Sequence, residues 1–357
     1  MGQSWEARLK MLAALSSIAV LWTQAVIAPA SAQTQQLIDQ CANTGNAFSP
    51  AQRADACTAL IESGKVFGRG LGWAYESRCA AYNDGKASDY AIADCTQAIL
   101  REPTARGHSN RGNAYYVKGD NDKAIADYSE AIRLNPKDAA VFSHRGSAYL
   151  AKGQHDRAIA DYSQAIQLDP KDATAFNNRG NAYYANGEHE RAIADYNQVI
   201  QIDPKNARSY LNRGLANLYL GASAKAQADL NQASALDPND VYVALWLDIA
   251  NKRSKSASRL AKATTQSDLS KWPGPIIRFY LGKMKPADLL AAAESPDLAT
   301  KKAQICEANF YSGELALQQR NKDHAIELFR LAAADCPKSF LEYGSANAEL
   351  KALRATP

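Results

Sequence analysis

From residue 105 onward, apolar and small residues recur along the chain at helical spacing in paired runs, and each pair closes on a proline. In one such pair, Thr174 to Ala185 places Phe176, Ala182 and Tyr183 on one stripe, and Gly187 then offers a cheap positive φ to end the run. A second run, Glu190 to Ile202, carries Ala192, Ile193, Tyr196, Val199 and Ile200 on one face before Pro204 stops it. The pattern predicts a helix, a tight turn and a second helix. Gly180 and Ala192 are small enough to let the two helices approach, and Tyr183 and Tyr196 are expected to fill the space beside them.

The same phrase returns every 34 residues. Asn135-Pro136, Asp169-Pro170, Asp203-Pro204 and Asp237-Pro238 are in register, as are Gly112, Gly146, Gly180 and Gly214. A fixed period of this length means stacked supersecondary units that cannot bury their apolar faces alone. Four units run from Ala105 to Asp240. A fifth precedes them, from about Gly72 to Pro103, with Tyr75, Tyr82, Ala91 and Ala98 in step.

With small, aromatic, small, aromatic and proline places held by Gly180, Tyr183, Ala192, Tyr196 and Pro204, the chain resembles the tetratricopeptide repeat (TPR) family. The resemblance implies an all-α solenoid of helix-turn-helix units wound as a right-handed superhelix. It also implies that the inner helices line a protein-binding groove.

Past Val241 the period fails while helical patterning continues. Trp272-Pro273-Gly274-Pro275 is a break; short helical pieces at Ile276 to Leu281 and Ala287 to Glu294 follow. A TPR-like hairpin resumes at Cys306, with Gly313, Ala325, Phe329, Ala332 and Pro337 in the signature places, and a helix from Phe340 to Leu353 is expected to cap the array. The segments Phe279 to Gly282, Glu307 to Gly313, Leu328-Phe329, Phe340 to Tyr343 and Glu349-Leu350 resemble the C-terminal part of NlpI-type TPR lipoproteins of Gram-negative bacteria. That resemblance implies a cell-envelope adaptor for peptidoglycan hydrolases and a processing protease. Cys41 follows Leu37-Ile38-Asp39-Gln40, unlike the lipidated cysteine of those proteins, so a lipid anchor is not expected.

The expected organisation is a signal peptide over 1–32, an N-terminal disulfide-linked helical hairpin over 33–70, five tandem repeats over 71–240, an irregular helical region over 241–305, and a C-terminal hairpin with its capping helix over 306–357. Arg8 and Lys10 precede the apolar run Met11 to Trp22, and Ala30-Ser31-Ala32 offers a cleavage site before Gln33. The alternative, an uncleaved anchor, is disfavoured because the run falls short of the ~20 residues a span needs. A soluble periplasmic or secreted chain is expected.

Six cysteines suit an oxidising compartment, although six allow fifteen pairings and buried free thiols are the alternative. The repeat register narrows the pairings. Cys79 and Cys95 hold the places of Gly112 and Tyr128, which face each other across one hairpin; Cys41 and Cys57 share that separation around Phe48-Ser49-Pro50; Cys306 and Cys336 fall at the open end of the last hairpin.

Forty-one basic against thirty-seven acidic residues leave a net charge of +4, spread along the array, so nothing points to nucleic acid. No nucleophile beside a base, phosphate-binding glycine loop or metal-spaced His and Cys set stands out; no catalytic residue, metal or cofactor is expected. His155 and His189 read as solvated turn residues. Arg78, Arg111, Arg145, Arg179 and Arg213 each precede an aspartate by 16 residues: Asp94, Asp127, Asp161, Asp195 and Asp229. One exposed ion pair per hairpin is expected, worth about 0–1 kcal/mol.

A polar row, Asn110, His144, Asn178 and Asn212, recurs opposite the tyrosine core, with Asn113, Ser147 and Asn181 one turn on. Tyr116 and Tyr184 add flat area beside it, and Arg106 and Arg208 add charge at helix starts. An amide donates and accepts, so such a ladder can pair with the main chain of an extended peptide. Merely solvated polar residues are the alternative. The function expected is protein binding by a scaffold; the competing reading is a structural assembly component that oligomerises through its outer surface.

Overall fold

The computed structural model describes residues 30–265 and 267–355. The basic segment and apolar run assigned to a signal peptide lie outside the described residues. Among the described residues the fold is all-α, with nineteen α-helices, one 3-10 turn (Thr44–Asn46) and no strand.

Two compact units divide the chain after residue 118. The first holds α1 (Ala30–Ala42), α2 (Pro50–Glu62), α3 (Arg69–Asp84), α4 (Ser88–Arg101) and α5 (Ala105–Val117). The second begins with α6 (Asn121–Leu134) and continues through the hairpins α7 (Ala139–Ala151) with α8 (His155–Leu168), α9 (Ala173–Ala185) with α10 (His189–Ile202), and α11 (Ala207–Tyr219) with α12 (Ser223–Leu236). Then come α13 (Val241–Arg253), the short α14 (Leu260–Ala263), α15 (Gly274–Tyr280) and α16 (Pro286–Ala292), and finally α17 (Leu298–Gln318), α18 (Lys322–Asp335) and α19 (Leu341–Ala352).

Local chemistry explains the boundaries. Asp138, Asp172, Asn206 and Asp240 cap the first helices of successive pairs by accepting from backbone N–H groups two or three residues on. Gly153, Gly187 and Gly221 take φ of +72°, +78° and +73° in the turns, a conformation free of strain only for glycine. Packing inside a hairpin is a small residue against an aromatic. A Cβ on Gly180 would lie 2.7 Å from Cε1 of Tyr196, which is fully buried; Gly313 meets Phe329 in the same way. At the equivalent place in α3 and α4 a covalent bond replaces this contact: Cys79 is bridged to Cys95. Cys41–Cys57 joins α1 to α2, and Cys306–Cys336 joins α17 to the end of α18.

Three expectations need correction. The last hairpin does not begin at Cys306, because α17 starts at Leu298, where Asp297 caps it; Cys306 sits inside a 21-residue helix. Tyr183 is only half-buried, lying beside Arg179 and Arg191, whereas its neighbour Tyr184 is 1% exposed. The final helix does more than cap an end. It turns back onto α9: the Tyr184 and Ser345 hydroxyls are 2.7 Å apart, and Gly344 packs on the Tyr184 ring.

Candidate functional site

The arginine–aspartate pairs are buried clamps rather than exposed pairs. Arg78, Arg145, Arg179 and Arg213 each donate from Nε and Nη2 to both oxygens of Asp94, Asp161, Asp195 and Asp229, at 2.6–2.9 Å. These aspartates are only 4–7% exposed. The remaining Nη1 donates backward to the preceding hairpin: Arg78 to Thr58, Arg145 to Ser129, Arg179 to Ser163, Arg213 to Asn197, and likewise Arg111 to Thr96. One guanidinium thus holds three helices, and its planar fork suits that task. Hydrogen bonding to the partner aspartates raises the pKa of Arg78, Arg145 and Arg179 still further.

The polar ladder divides by what each rung touches. In the first unit, Asn110 accepts from Asn83 through its backbone carbonyl, and its own Nδ2 is buried without a partner. Arg106 lies 3.3 Å from Glu76; Asn113 is half-buried; Tyr116 is 38% exposed, and partial burial raises its phenol pKa. In the second unit, His144 stands beside Tyr128 at 5.8 Å, and burial lowers its pKa. Ser147 pairs with the buried Tyr162 hydroxyl at 3.0 Å, and Asn181 accepts from Tyr196 at 2.9 Å. Asn178 is half-buried. Asn212, expected on an open face, is 1% exposed: its Nδ2 donates to Asn181 at 3.1 Å and to Asn177 at 3.4 Å, while its Oδ1 has no partner.

The C-terminal segment explains the burial of Tyr184. Alongside the Tyr184–Ser345 contact, Tyr343 lies 6.0 Å from His155, with Lys338 Nζ 4.2 Å from its ring. His189 packs between Tyr184 and Tyr219 and is 8% exposed, so it is no solvated turn residue; burial lowers the pKa of both His155 and His189. Arg253 of α13 binds Glu314 of α17 at 2.7 Å and also Glu349 of α19, tying the returning helix to its support.

Beside this contact a cavity of about 390 Å³ stays open. It is lined by Asn181, Arg208, Asn212, Tyr242, Trp246, Glu307, Phe340 and Glu342 among others. One oxygen of Glu307, Oε2, accepts from the Tyr242 hydroxyl and from Trp272 Nε1, both at 2.8 Å; Glu342 accepts from Tyr311 at 3.1 Å. Burial pushes the Glu307 carboxyl up to about 8, helped by the nearby charge of Glu342 and opposed by the two donors. Burial also raises Glu342. Among the described residues no cluster of three or more metal-ligating side chains occurs, and no helix is long and apolar enough to cross a membrane.

Family comparison agrees with the hairpin geometry. Residues 112–153, 146–187 and 180–221 match a TPR repeat family, and 207–240 match a tetratricopeptide repeat family. Residues 112–240 are tetratricopeptide repeats. Similar solved structures include YrrB, described as a TPR protein with an unusual peptide-binding site: 22% identical, covering 53% of this chain and 96% of that one, TM-score 0.46. MamA is 26% identical over 43% of this chain and 94% of its own, with a TM-score of 0.42. The C-terminal part of a TPR repeat-containing protein from Cytophaga hutchinsonii is 18% identical, covering 85% and 95%, with a TM-score of 0.45.

Set on this TPR frame, the expected groove is only partly a groove. Tyr184 and Asn212 are enclosed, and Ser147 and Asn181 anchor core tyrosines. His144 and Arg208 are exposed and Asn178 is half-buried on the A helices of the second unit, A helix meaning the first of each pair. Sequence reasoning passed over Glu307, Glu342, Tyr242, Trp246 and Phe340 as site residues. Glu307, Phe340 and Glu342 lay inside the segments quoted for the lipoprotein resemblance, and that concentration of acids and aromatics was the available signal.

Proposed function

We propose that the protein is an exported, non-catalytic TPR adaptor that binds other proteins on the A-helix face of its second unit. The observation that carries this reading is that the face already receives a helix: α19 seats on α9 through Tyr184 and Ser345. On the same row of A helices, His144 of α7 is exposed and Asn178 of α9 is half-buried. By family resemblance the partners are envelope enzymes such as peptidoglycan hydrolases or a processing protease, met in the periplasm after cleavage between Ala32 and Gln33 without lipidation. Three disulfides among the described residues favour an oxidising compartment.

The test is affinity capture from a Gram-negative envelope extract, comparing the wild type with a His144→Arg, Asn178→Arg double variant that crowds the face. Heterologous partners held by the wild type and lost by the variant are expected; an identical partner set overturns the reading. Structural assembly is the second reading, favoured by Phe67 and Leu100 of the first unit, 81% and 73% exposed. Self-association abolished by Phe67→Ser with Leu100→Ser, and no heterologous partner, would support it.

A further inference from the structure

The cavity beside α19 has a lopsided inventory. Three carboxylates, Asp240, Glu307 and Glu342, line it against the single cation Arg208. Arg208 is exposed, and its charge already acts on Glu342. Asp240 is already committed to capping α13. Glu307 receives both of its donors on one oxygen, leaving the other without a protein donor. Asn212 supplies the independent observation. Its amide nitrogen donates to Asn177 and Asn181, its Oδ1 is a buried acceptor without a partner, and the residue lines the cavity. A buried acceptor without a donor is costly, so the site is built for something that donates. Tyr242, Trp246 and Phe340 give the walls aromatic surface, which attracts a cation.

We propose that this cavity takes a primary ammonium or guanidinium group, the end of a lysine or arginine side chain on a bound polypeptide. The proposal rests on the adaptor reading and names the chemistry by which that face selects its partner. A multi-donor cation offers hydrogens to Glu307 and Glu342 together, with the charge that a neutral donor lacks. An incoming cation also stabilises the ionised form of Glu307, whose carboxyl burial otherwise pushes up to about 8, so docking at neutral pH expels a proton.

The experiment uses the full mature chain and four probes: a capped glycine pentapeptide with a central lysine, its arginine and norleucine counterparts, and free n-butylamine. Trp246 and Trp272 fluorescence reports occupancy. The lysine and arginine peptides are expected to bind saturably, at least about tenfold more tightly than the norleucine peptide. Glu307→Gln keeps an acceptor for Tyr242 and Trp272 while removing the charge, and should weaken binding at least about tenfold; Glu342→Gln supplies the same reading should the first variant fail to fold. Calorimetry at pH 7 in two buffers of different ionisation enthalpy should show proton release. Norleucine binding as well as lysine, unchanged binding in both glutamine variants, or no saturation by about 10 mM overturns the proposal. Butylamine as tight as the lysine peptide keeps the cation site and overturns the polypeptide source. Neither acid is altered in the His144 and Asn178 variant, so loss of partners there with no cation binding here separates the two readings.

Discussion

At the scale of residues, the arginine clamp can be isolated by a single substitution. Arg179→Ala leaves Asp195, 4% exposed, without its counter-charge, and removal of one partner from a buried pair costs about 3–5 kcal/mol. Urea unfolding followed by circular dichroism should show the midpoint fall accordingly; a loss under about 1 kcal/mol would place the pair among exposed ones. Gly180→Ala tests the other close contact. Its Cβ would come 2.7 Å from the Tyr196 ring, and overpacking of this kind costs about 1–3 kcal/mol, read as a lowered thermal midpoint. The Arg–Asp spacing was plain in the sequence, yet its burial was not: the third donor reaches Ser163 on another hairpin, and nothing in a linear spacing says how closely hairpins stack. The exchange of roles between Tyr183 and Tyr184 has a similar origin. Adjacent helical residues point about 100° apart, and which of them is enclosed depends on a helix arriving from elsewhere.

At the scale of elements, the returning helix α19 decides which surfaces are open. The repeats were legible because a 34-residue period writes each turn and cap four times over. The docking of α19 was not, because Tyr184 and Ser345 stand 161 residues apart and neither belongs to a repeated pattern. Docking also carries a pH dependence. Burial pushes Glu307 up to about 8 and Glu314 up to about 7, the latter against the opposing charge of Arg253. Each carboxyl keeps its proton in the folded chain after the unfolded chain has lost it, so its contribution is full below the ordinary value of 4.5 and falls as pH rises through about 7 to 8. Hydrogen exchange in α19 should therefore quicken between pH 5 and pH 8 after correction for intrinsic rates, by as much as about 1.4 kcal/mol per pH unit for each proton. Glu307→Gln should flatten part of that slope. An unchanged slope would mean that the buried acids do not hold the helix.

At the scale of the whole molecule, the two units lean on covalent bonds unequally. The first has two bridges around 16-residue separations, the second one around 30. A loop of the shorter kind contributes on the order of 3 kcal/mol. Peptide mapping without reductant should recover the three pairs, and reduction should loosen amides of α1 to α4 more than those of α6 to α12. Equal loosening would show that packing, not the bridges, secures the first unit. The clamps have a different consequence, for how such a chain can change length. Arg179 finds Asp195 sixteen places ahead and Ser163 sixteen behind, and Arg145 and Arg213 follow the same count. Copying or excising a whole 34-residue block from residues 139–240 therefore delivers every guanidinium to an equivalent aspartate and an equivalent backward acceptor. A gain or loss between an arginine and its aspartate breaks the count of sixteen, whereas the connection behind the arginine is looser: Arg78 reaches Thr58 twenty places behind and Arg111 reaches Thr96 fifteen behind. Inheritance can lengthen this chain in whole repeats or between hairpins, but not between an arginine and its aspartate.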